Sequence, residues 1–179
     1  ATKKQKVLFV CLGNICRSPT AEAVFKKVTM DNGESANFDI DSCGTGGGLD
    51  SWFKYDPPQS YHEGDDADPR MMRAAAARGI RLTSISRPLT RNDLEEQDHI
   101  IVMDKSNMAQ VKKAAEFWGG EYPSLAEKKT RMMMDYTSDE ARKGTAVPDP
   151  YYGGPQGFDT VLDLLEDACV GFLKAVAPK

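Results

Sequence analysis

The sequence has no long apolar run, no block of basic residues and few histidines. A helix that spans a membrane needs roughly 18 consecutive apolar residues, and every apolar run in the 179 residues is much shorter, so membrane insertion is not expected. The net charge of −4, with Lys and Arg scattered along the chain, argues against nucleic acid as a partner. The two histidines, His62 and His99, have no companions at metal-ligand spacing, so no metal is predicted.

Cysteine is also scarce. The four cysteines, Cys11, Cys16, Cys43 and Cys169, form no CxxC motif, in a chain large enough to fold without disulfides. Free thiols in a reducing compartment are therefore expected. The opening "ATKKQKVLFVC" is charged and then apolar, but its apolar run is too short for a signal peptide and no cleavage site follows. A cytoplasmic protein is predicted.

The pattern along the chain alternates between short apolar runs and helical periodicity. Four apolar runs predict strands at Val7 to Cys11, Phe38 to Ser42, His99 to Asp104 and Thr130 to Tyr136. Helical patterns cover 18–32, 68–80, 106–120, with Ser106 as N-cap, and 157–177. This alternation predicts one α/β domain over residues 1–179: an open parallel four-stranded sheet, order 2-1-3-4, with helices on both faces.

Segments rich in Gly, Pro and Asp interrupt this rhythm at 44–68, 119–129 and 137–157, and they are predicted to be loops. The loop at 11–17 and the loops after Ser42 and Tyr136 all follow predicted strands. In open α/β sheets, ligands bind outside the carboxyl ends of the strands. The site is therefore expected among these loops.

The stretch "VLFVCLGNICRSPT" joins a buried strand to a helix through residues 11–17. Such a loop directs backbone N–H groups and the positive end of a helix dipole at an anion, although it is not a Walker loop. The helix end and a nearby cation favour the nucleophilic thiolate form of Cys11, and the planar fork of Arg17 matches two phosphoryl oxygens. We predict attack on a phosphate ester, with the phosphate bound by Leu12, Gly13, Asn14, Ile15, Cys16 and Arg17.

Other side chains of this stretch have alternative interpretations. The Ser18 hydroxyl is expected either to donate to the Cys11 sulfur or to act as an N-cap, and both roles are compatible. Asn14 suits a loop position with unusual backbone angles. Cys11, taken alone, would be a buried strand cysteine, which is the commonest environment for this residue.

The segment "VCLGNICRSPTAEAVF" resembles the CxGNxCRSPxAE signature of the low-molecular-weight protein tyrosine phosphatases. The resemblance continues, in the same order, through "DSCGTGG", "IIVMDKSN", "MMMDY" and "VPDPYYGG". It implies a phosphoric monoester hydrolase that acts on tyrosine-phosphorylated proteins through a phosphocysteine, with an oxyanion in the site and no cofactor. Asp149, on a loop stiffened by two flanking prolines, would be the general acid of the first step and the base of the second.

The resemblance implies further roles. Tyr151 and Tyr152 would flank the pocket entrance, Cys16 would form a reversible disulfide with the nucleophile, and Ser42 would bond the loop residue Asn14. Ile15, where arginine phosphatases of this fold typically have Thr, would favour an aryl phosphate.

The chain departs from the family pattern in two places. The segment 44–70 is longer than usual, so the pocket aromatic of the family cannot be transferred residue by residue, and Trp52, Phe53 and Tyr55 are candidates for it. The family's supporting histidine is replaced at the aligned position by Ser84. His62 is expected to be solvated and His99 to begin a strand.

Three alternative functions remain. A thioredoxin-coupled arsenate reductase needs further cysteines near 80–96, where this chain has none. A protein-arginine phosphatase is disfavoured by Ile15. An inactive phosphotyrosine-binding module is disfavoured because Cys11, Arg17 and Asp149 are all present.

Overall fold

The sheet fixes the arrangement of the molecule. The computed structural model describes residues 3–178 and contains a four-stranded parallel sheet of order β2-β1-β3-β4. The strands are β1 Gln5–Cys11, β2 Phe38–Gly44, β3 His99–Val102 and β4 Thr130–Met132. In register, Cys11 pairs with Gly44 and Val10 with Val102, so the carboxyl ends of three strands meet at one edge. The predicted fold class and strand order are confirmed.

Helices cover both faces of this sheet. They are α1 Arg17–Asp31, α2 Pro69–Ala76, α3 Arg91–Glu96, α4 Lys105–Trp118, α5 Tyr122–Lys129 and α6 Gln156–Val176. Short 3₁₀ turns occur at Ser35–Asn37, Trp52–Lys54, Met133–Tyr136 and Glu140–Arg142. Alternate β1 residues point to opposite faces: Val7 and Phe9 pack under α1, α2 and α6, whereas Leu8 and Val10 pack under α3, α4 and α5.

Several predicted elements were wrong in position or type. The segment 119–129 was expected to be a loop but contains α5, which has proline in its first turn and two lysines in its last. Helix α3 was missed, although Thr90 and Asp93 form a capping box at its start. Ser106 is not the N-cap of α4, because Asp104 accepts the capping bond from the Asn107 N–H. Strand β4 ends at Met132, and the chain continues as a 3₁₀ turn.

No helix within residues 3–178 has both the length and the apolar character that crossing a membrane requires.

Candidate active site

The loop of residues 11–17, here called the anion loop, joins β1 to α1 at the carboxyl edge of the sheet. Its carbonyl oxygens bond outward: Thr45 N to Cys11 O and Leu12 O, Ser86 Oγ to Gly13 O, and Asp68 N to Ile15 O, at 2.8–3.0 Å. In a trans peptide the N–H of the next residue points away from the carbonyl. The amides that follow these carbonyls therefore face the interior of the loop, where an anion would lie.

The candidate nucleophile lies at the base of this loop. Cys11 is 3% exposed, and its Sγ lies 3.3 Å from the Asn14 N–H donor and 3.0 Å from Ser18 Oγ. Ser18 is the second residue of α1 and makes no capping bond, so the N-cap interpretation was wrong. Its hydroxyl lies within donating distance of both the Cys11 sulfur and Cys43 O.

Buried polar side chains hold the loop from below. Asn14 adopts φ 55°, a left-handed conformation that Asn tolerates better than most residues. Its Nδ2 donates to Ser18 Oγ at 2.8 Å and to Ser42 Oγ at 3.0 Å, so the predicted contact between Asn14 and Ser42 is present. The Ser42 hydroxyl in turn donates to Glu22 Oε1 at 2.8 Å. Glu22 was not identified from the sequence, although it stands in the "SPTAE" part of the signature.

Ser84, which stands where the family has its supporting histidine, does not take over that role. The buried Ser84 hydroxyl bonds to no atom of residues 3–178. Two residues further on, Ser86 Oγ donates to Gly13 O at 2.8 Å, and the Arg87 N–H donates to Asn14 Oδ1 at 3.0 Å. The segment therefore contacts the anion loop through the Ser86 side chain and the Arg87 backbone, not through Ser84.

The guanidinium of Arg17 is fixed by groups that are distant in sequence. Arg17 is 3% exposed; its Nη1 donates to Asp104 Oδ2 at 2.6 Å and to Val147 O at 3.1 Å. Burial lowers the pKa of Arg17, but the neighbouring Cys11 and Asp104 outweigh it and raise this pKa above its ordinary value. The side chain therefore stays charged. Asp104 was missed as a site residue; its place directly after the "IIVM" strand was the available signal.

The candidate acid faces Arg17 from the opposite loop. Asp149 Oδ2 lies 3.6 Å from Arg17 Nη2, and its Oδ1 accepts a hydrogen bond from the Tyr151 N–H at 3.0 Å. The Asp149 side chain is 36% exposed, so its carboxyl is open to solvent and to a bound ligand. The structure thus brings the three predicted catalytic residues, Cys11, Arg17 and Asp149, to one place.

These groups line a cavity of about 60 Å³. This volume exceeds the roughly 10–15 Å³ that a single water needs, so the cavity has room for an oxyanion. Its walls are Cys11, Leu12, Gly13, Ile15, Cys16, Arg17, Gly47, His62, Asp149, Tyr151 and Tyr152. The predicted pocket residues Ile15, Tyr151 and Tyr152 are all present, although Tyr152 is 89% exposed and forms only the rim.

None of the three candidates for the pocket aromatic lies in the cavity wall. Trp52, Phe53 and Tyr55 do not line this cavity; Trp52 is buried, donates to Gln110 Oε1 and packs on Trp118. His62 takes the place in the wall, so its assignment to solvent was also wrong. Its ring packs against Tyr61 and Tyr151, and its Nδ1 lies 3.1 Å from Asp65 Oδ2. No local sequence signal distinguished His62 from a solvated loop residue.

Two further residues named from the sequence, Cys16 and His99, are both at least partly buried. Cys16 is buried in the anion loop, and burial, followed by the charges of Asp68 and Cys11, raises the pKa of its thiol. His99 begins β3, as predicted, and burial lowers its pKa. Within the described part of the chain, no three His, Cys, Asp or Glu side chains are grouped to hold a metal ion.

Comparison with known proteins gives one consistent result. The family model described as low molecular weight phosphotyrosine protein phosphatase matches residues 6–179. The protein of that name from Schizosaccharomyces pombe is 38% identical over 177 residues, covering 98% of this chain and 99% of the relative. A crystal structure of a protein tyrosine phosphatase from Entamoeba histolytica has a TM-score of 0.80 and 40% identity, covering 97% of each chain.

An arginine phosphatase from Drosophila has the same TM-score, 0.80, at 24% identity, covering 98% of this chain and 99% of that one; this likeness shows a shared fold alone. The relatives that are more similar in sequence carry the names of phosphoric monoester hydrolases, so the predicted enzyme class is confirmed. Because the family model and these relatives match nearly the whole chain, the protein belongs to the low molecular weight phosphotyrosine protein phosphatase family.

Proposed function

We propose that this protein hydrolyses phosphotyrosine in proteins through a phosphocysteine on Cys11. One observation supports this most strongly: Cys11 Sγ, the Arg17 guanidinium and the Asp149 carboxyl line a single small cavity. Asp104, at 2.6 Å, holds the Arg17 fork in place before any ligand binds. A preorganised cation and inward amides stabilise the charge that develops on a transferring phosphoryl group.

In the first step, the Cys11 thiolate attacks phosphorus. The P–S bond forms as the P–O bond to the tyrosine breaks, and Asp149 donates its proton to the leaving phenolate oxygen. Arg17 and the amides of the anion loop bind the non-bridging oxygens. The Asn14 N–H, which lies 3.3 Å from Sγ, stabilises the thiolate before attack.

In the second step, the Asp149 carboxylate takes a proton from water as the water oxygen attacks phosphorus. The P–S bond breaks, inorganic phosphate forms and Cys11 leaves as a thiolate. Ser18 Oγ, 3.0 Å from Sγ, donates a hydrogen bond to this leaving thiolate. The side chains of Asn14, Ser42 and Glu22 hold the Ser18 hydroxyl and the loop in this geometry. The cycle needs no cofactor.

The walls of the cavity favour an aryl group. Ile15 offers an apolar surface, and Tyr151 and His62 offer ring surfaces, all in the wall of the cavity. A phenol ring can pack on such faces, and the apolar Ile15 side chain offers no partner to the N–H donors of a guanidinium phosphate. This distinguishes a tyrosine substrate from the arginine substrate that the name of the Drosophila neighbour suggests for that protein.

Phosphate release from a phosphotyrosine peptide and from a phosphoarginine peptide, measured side by side in buffer with a chelator, tests this proposal. We expect release from the tyrosine peptide alone, with Cys11→Ser as the blank. Faster release from phosphoarginine would make the protein an arginine phosphatase. Retention of the tyrosine peptide without release would make it a binding module. Reduction of arsenate in the presence of thioredoxin, without peptide hydrolysis, would favour the reductase.

Redox control through Cys16 is also proposed. Burial raises the pKa of its thiol, so Cys16 is neutral at rest and must lose its proton as its sulfur attacks an oxidised Cys11. Peroxide would oxidise the Cys11 thiolate to a sulfenic acid, and the Cys16 thiol would condense with it, forming the disulfide and releasing water. A disulfide between residues 11 and 16, found by peptide mapping after peroxide treatment, checks this; a sulfinic acid on Cys11 instead would contradict it.

The cytoplasmic location and single-domain organisation stay predictions.

A further inference from the structure

The segment of residues 148–155, here called the acid segment, carries Asp149 but has little buried surface of its own. It is anchored before its start by the buried Val147, whose N–H donates to Met103 O, and just beyond its end by the buried Phe158 of α6. Pro150 is its one buried residue. The Tyr151 ring contacts a cation outside the segment: the Arg70 guanidinium lies over it, 5.2 Å from the ring centroid. Arg70 is therefore one of the groups that hold the acid segment, beside His62, which also contacts the Tyr151 ring, and Arg17, which lies 3.6 Å from Asp149.

Arg70 is itself held in place. Its Nε and Nη2 donate to the two carboxylate oxygens of Asp68, at 3.1 and 2.8 Å, and the Phe158 ring lies 5.0 Å from the guanidinium carbon. Asp68 is buried, and its N–H donates to Ile15 O of the anion loop at 2.8 Å. A continuous set of contacts thus runs from the anion loop through Asp68 and Arg70 to Tyr151.

The last contact reaches the carboxyl group. Asp149 Oδ1 accepts a hydrogen bond from the Tyr151 N–H, so the orientation of this carboxyl depends on where the backbone of Tyr151 lies. We propose that Arg70 is a positioning residue for Asp149: its guanidinium, held flat by Asp68, supports the Tyr151 ring and so keeps the acid over the cavity. This inference rests on the proposed role of Asp149 as the general acid.

Two substrates with different leaving groups can show whether Arg70 positions the acid or only supports the fold. Phenolate is a poor leaving group and needs the proton of the acid, whereas p-nitrophenolate leaves well without it. The ratio kcat/KM reports the steps up to cleavage of the ester bond, so it contains this proton transfer. Loss of acid positioning therefore lowers kcat/KM for phenyl phosphate selectively.

The experiment compares both aryl phosphates with Arg70→Gln and Arg70→Lys. For Arg70→Gln we expect about a tenfold loss of kcat/KM on phenyl phosphate and less than about a twofold loss on p-nitrophenyl phosphate. Arg70→Lys should recover only part of this loss, because an ammonium has no planar face and no two-pronged bond to Asp68. Arg73→Gln, an exposed arginine on the same helix, is the matched control and should change neither rate.

Asp149→Asn is the reference variant, and its loss of kcat/KM on phenyl phosphate should be larger than that of Arg70→Gln. In that background Arg70→Gln should add no further loss, because the effect of Arg70 acts through Asp149. An additive loss, or an equal loss on both substrates, would overturn the inference while leaving the role of Asp149 intact. Absence of leaving-group selectivity in Asp149→Asn itself would instead overturn the proposed acid.

Inhibition by vanadate tests whether Arg70 also supports the anion loop, at the opposite end of this set of contacts. We expect vanadate to inhibit the Arg70 variants as strongly as the unchanged protein, since the anion loop keeps its own bonds to Thr45 and Ser86. Weakened vanadate inhibition would mean that Arg70 supports the anion loop through Asp68, and it would overturn the assignment to Asp149.

Discussion

Replacement of Cys11 by Ser is expected to lower kcat on phosphotyrosine by about 10⁴-fold or more, because the reaction loses its nucleophile. A serine hydroxyl is nearly the same size as the thiol but does not ionise near neutral pH. The neighbouring Asn14 N–H and Ser18 Oγ remain to hold it in place. The measurement is steady-state release of phosphate from a phosphotyrosine peptide.

Two controls accompany this variant. Cys11→Ser should retain the thermal unfolding temperature and should still bind the phosphotyrosine peptide, since Arg17 and the loop amides are unchanged. Cys169→Ser, which alters a buried thiol in α6 outside the cavity, should keep its activity. Activity of Cys11→Ser within about tenfold of the unchanged protein would rule out the phosphocysteine route, because loss of a true nucleophile costs orders of magnitude.

Replacement of Arg17 by Lys is expected to lower kcat by about 10³-fold, since an ammonium cannot bind two phosphoryl oxygens in the plane of a fork. It also cannot contact Asp104 and Val147 O with the same geometry while reaching the ligand. Inhibition by inorganic phosphate should weaken in parallel. Steady-state kinetics and phosphate inhibition measure the two effects.

The matched control is Arg81→Lys, an exposed arginine that is not part of the cavity wall. It should keep both activity and phosphate inhibition. The unfolding temperature of Arg17→Lys separates loss of the fork from loss of the fold, because Asp104 keeps a cationic partner in this variant. If Arg17→Lys folds normally and its kcat falls by less than about tenfold, the guanidinium does not bind the transferring group.

Local patterns in the sequence predicted the parts of the fold that depend on neighbouring residues. The apolar runs predicted the strands, because the length of a run and the pattern of its side chains can be read from a few adjacent residues. The spacing of Cys11, Arg17 and Ser18 lies within one loop and the first turn of its helix, so their proximity follows from chain connectivity. Asp149 was identified from the resemblance and from its two flanking prolines. Segment boundaries, and the short helices α3 and α5, needed capping and packing that the periodicity did not reveal.

The residues that hold the site were decided by the tertiary structure. Asp104 is 87 positions from Arg17, and Ser86 is 73 positions from Gly13, so their contacts arise where parallel strands and loops meet at one edge. Ser86, which supports the loop, stands two residues from Ser84, the position aligned with the family's histidine.

The longer segment 44–70 illustrates the same limit. Its largest side chain, Trp52, is buried against Trp118 because apolar burial is favourable there, which leaves the smaller His62 to line the cavity. The sequence by itself determined the chemistry of the anion loop, since that chemistry is carried by adjacent residues. The tertiary structure alone decided how Asp104, His62 and Arg70 surround it, because packing between distant segments depends on the whole core.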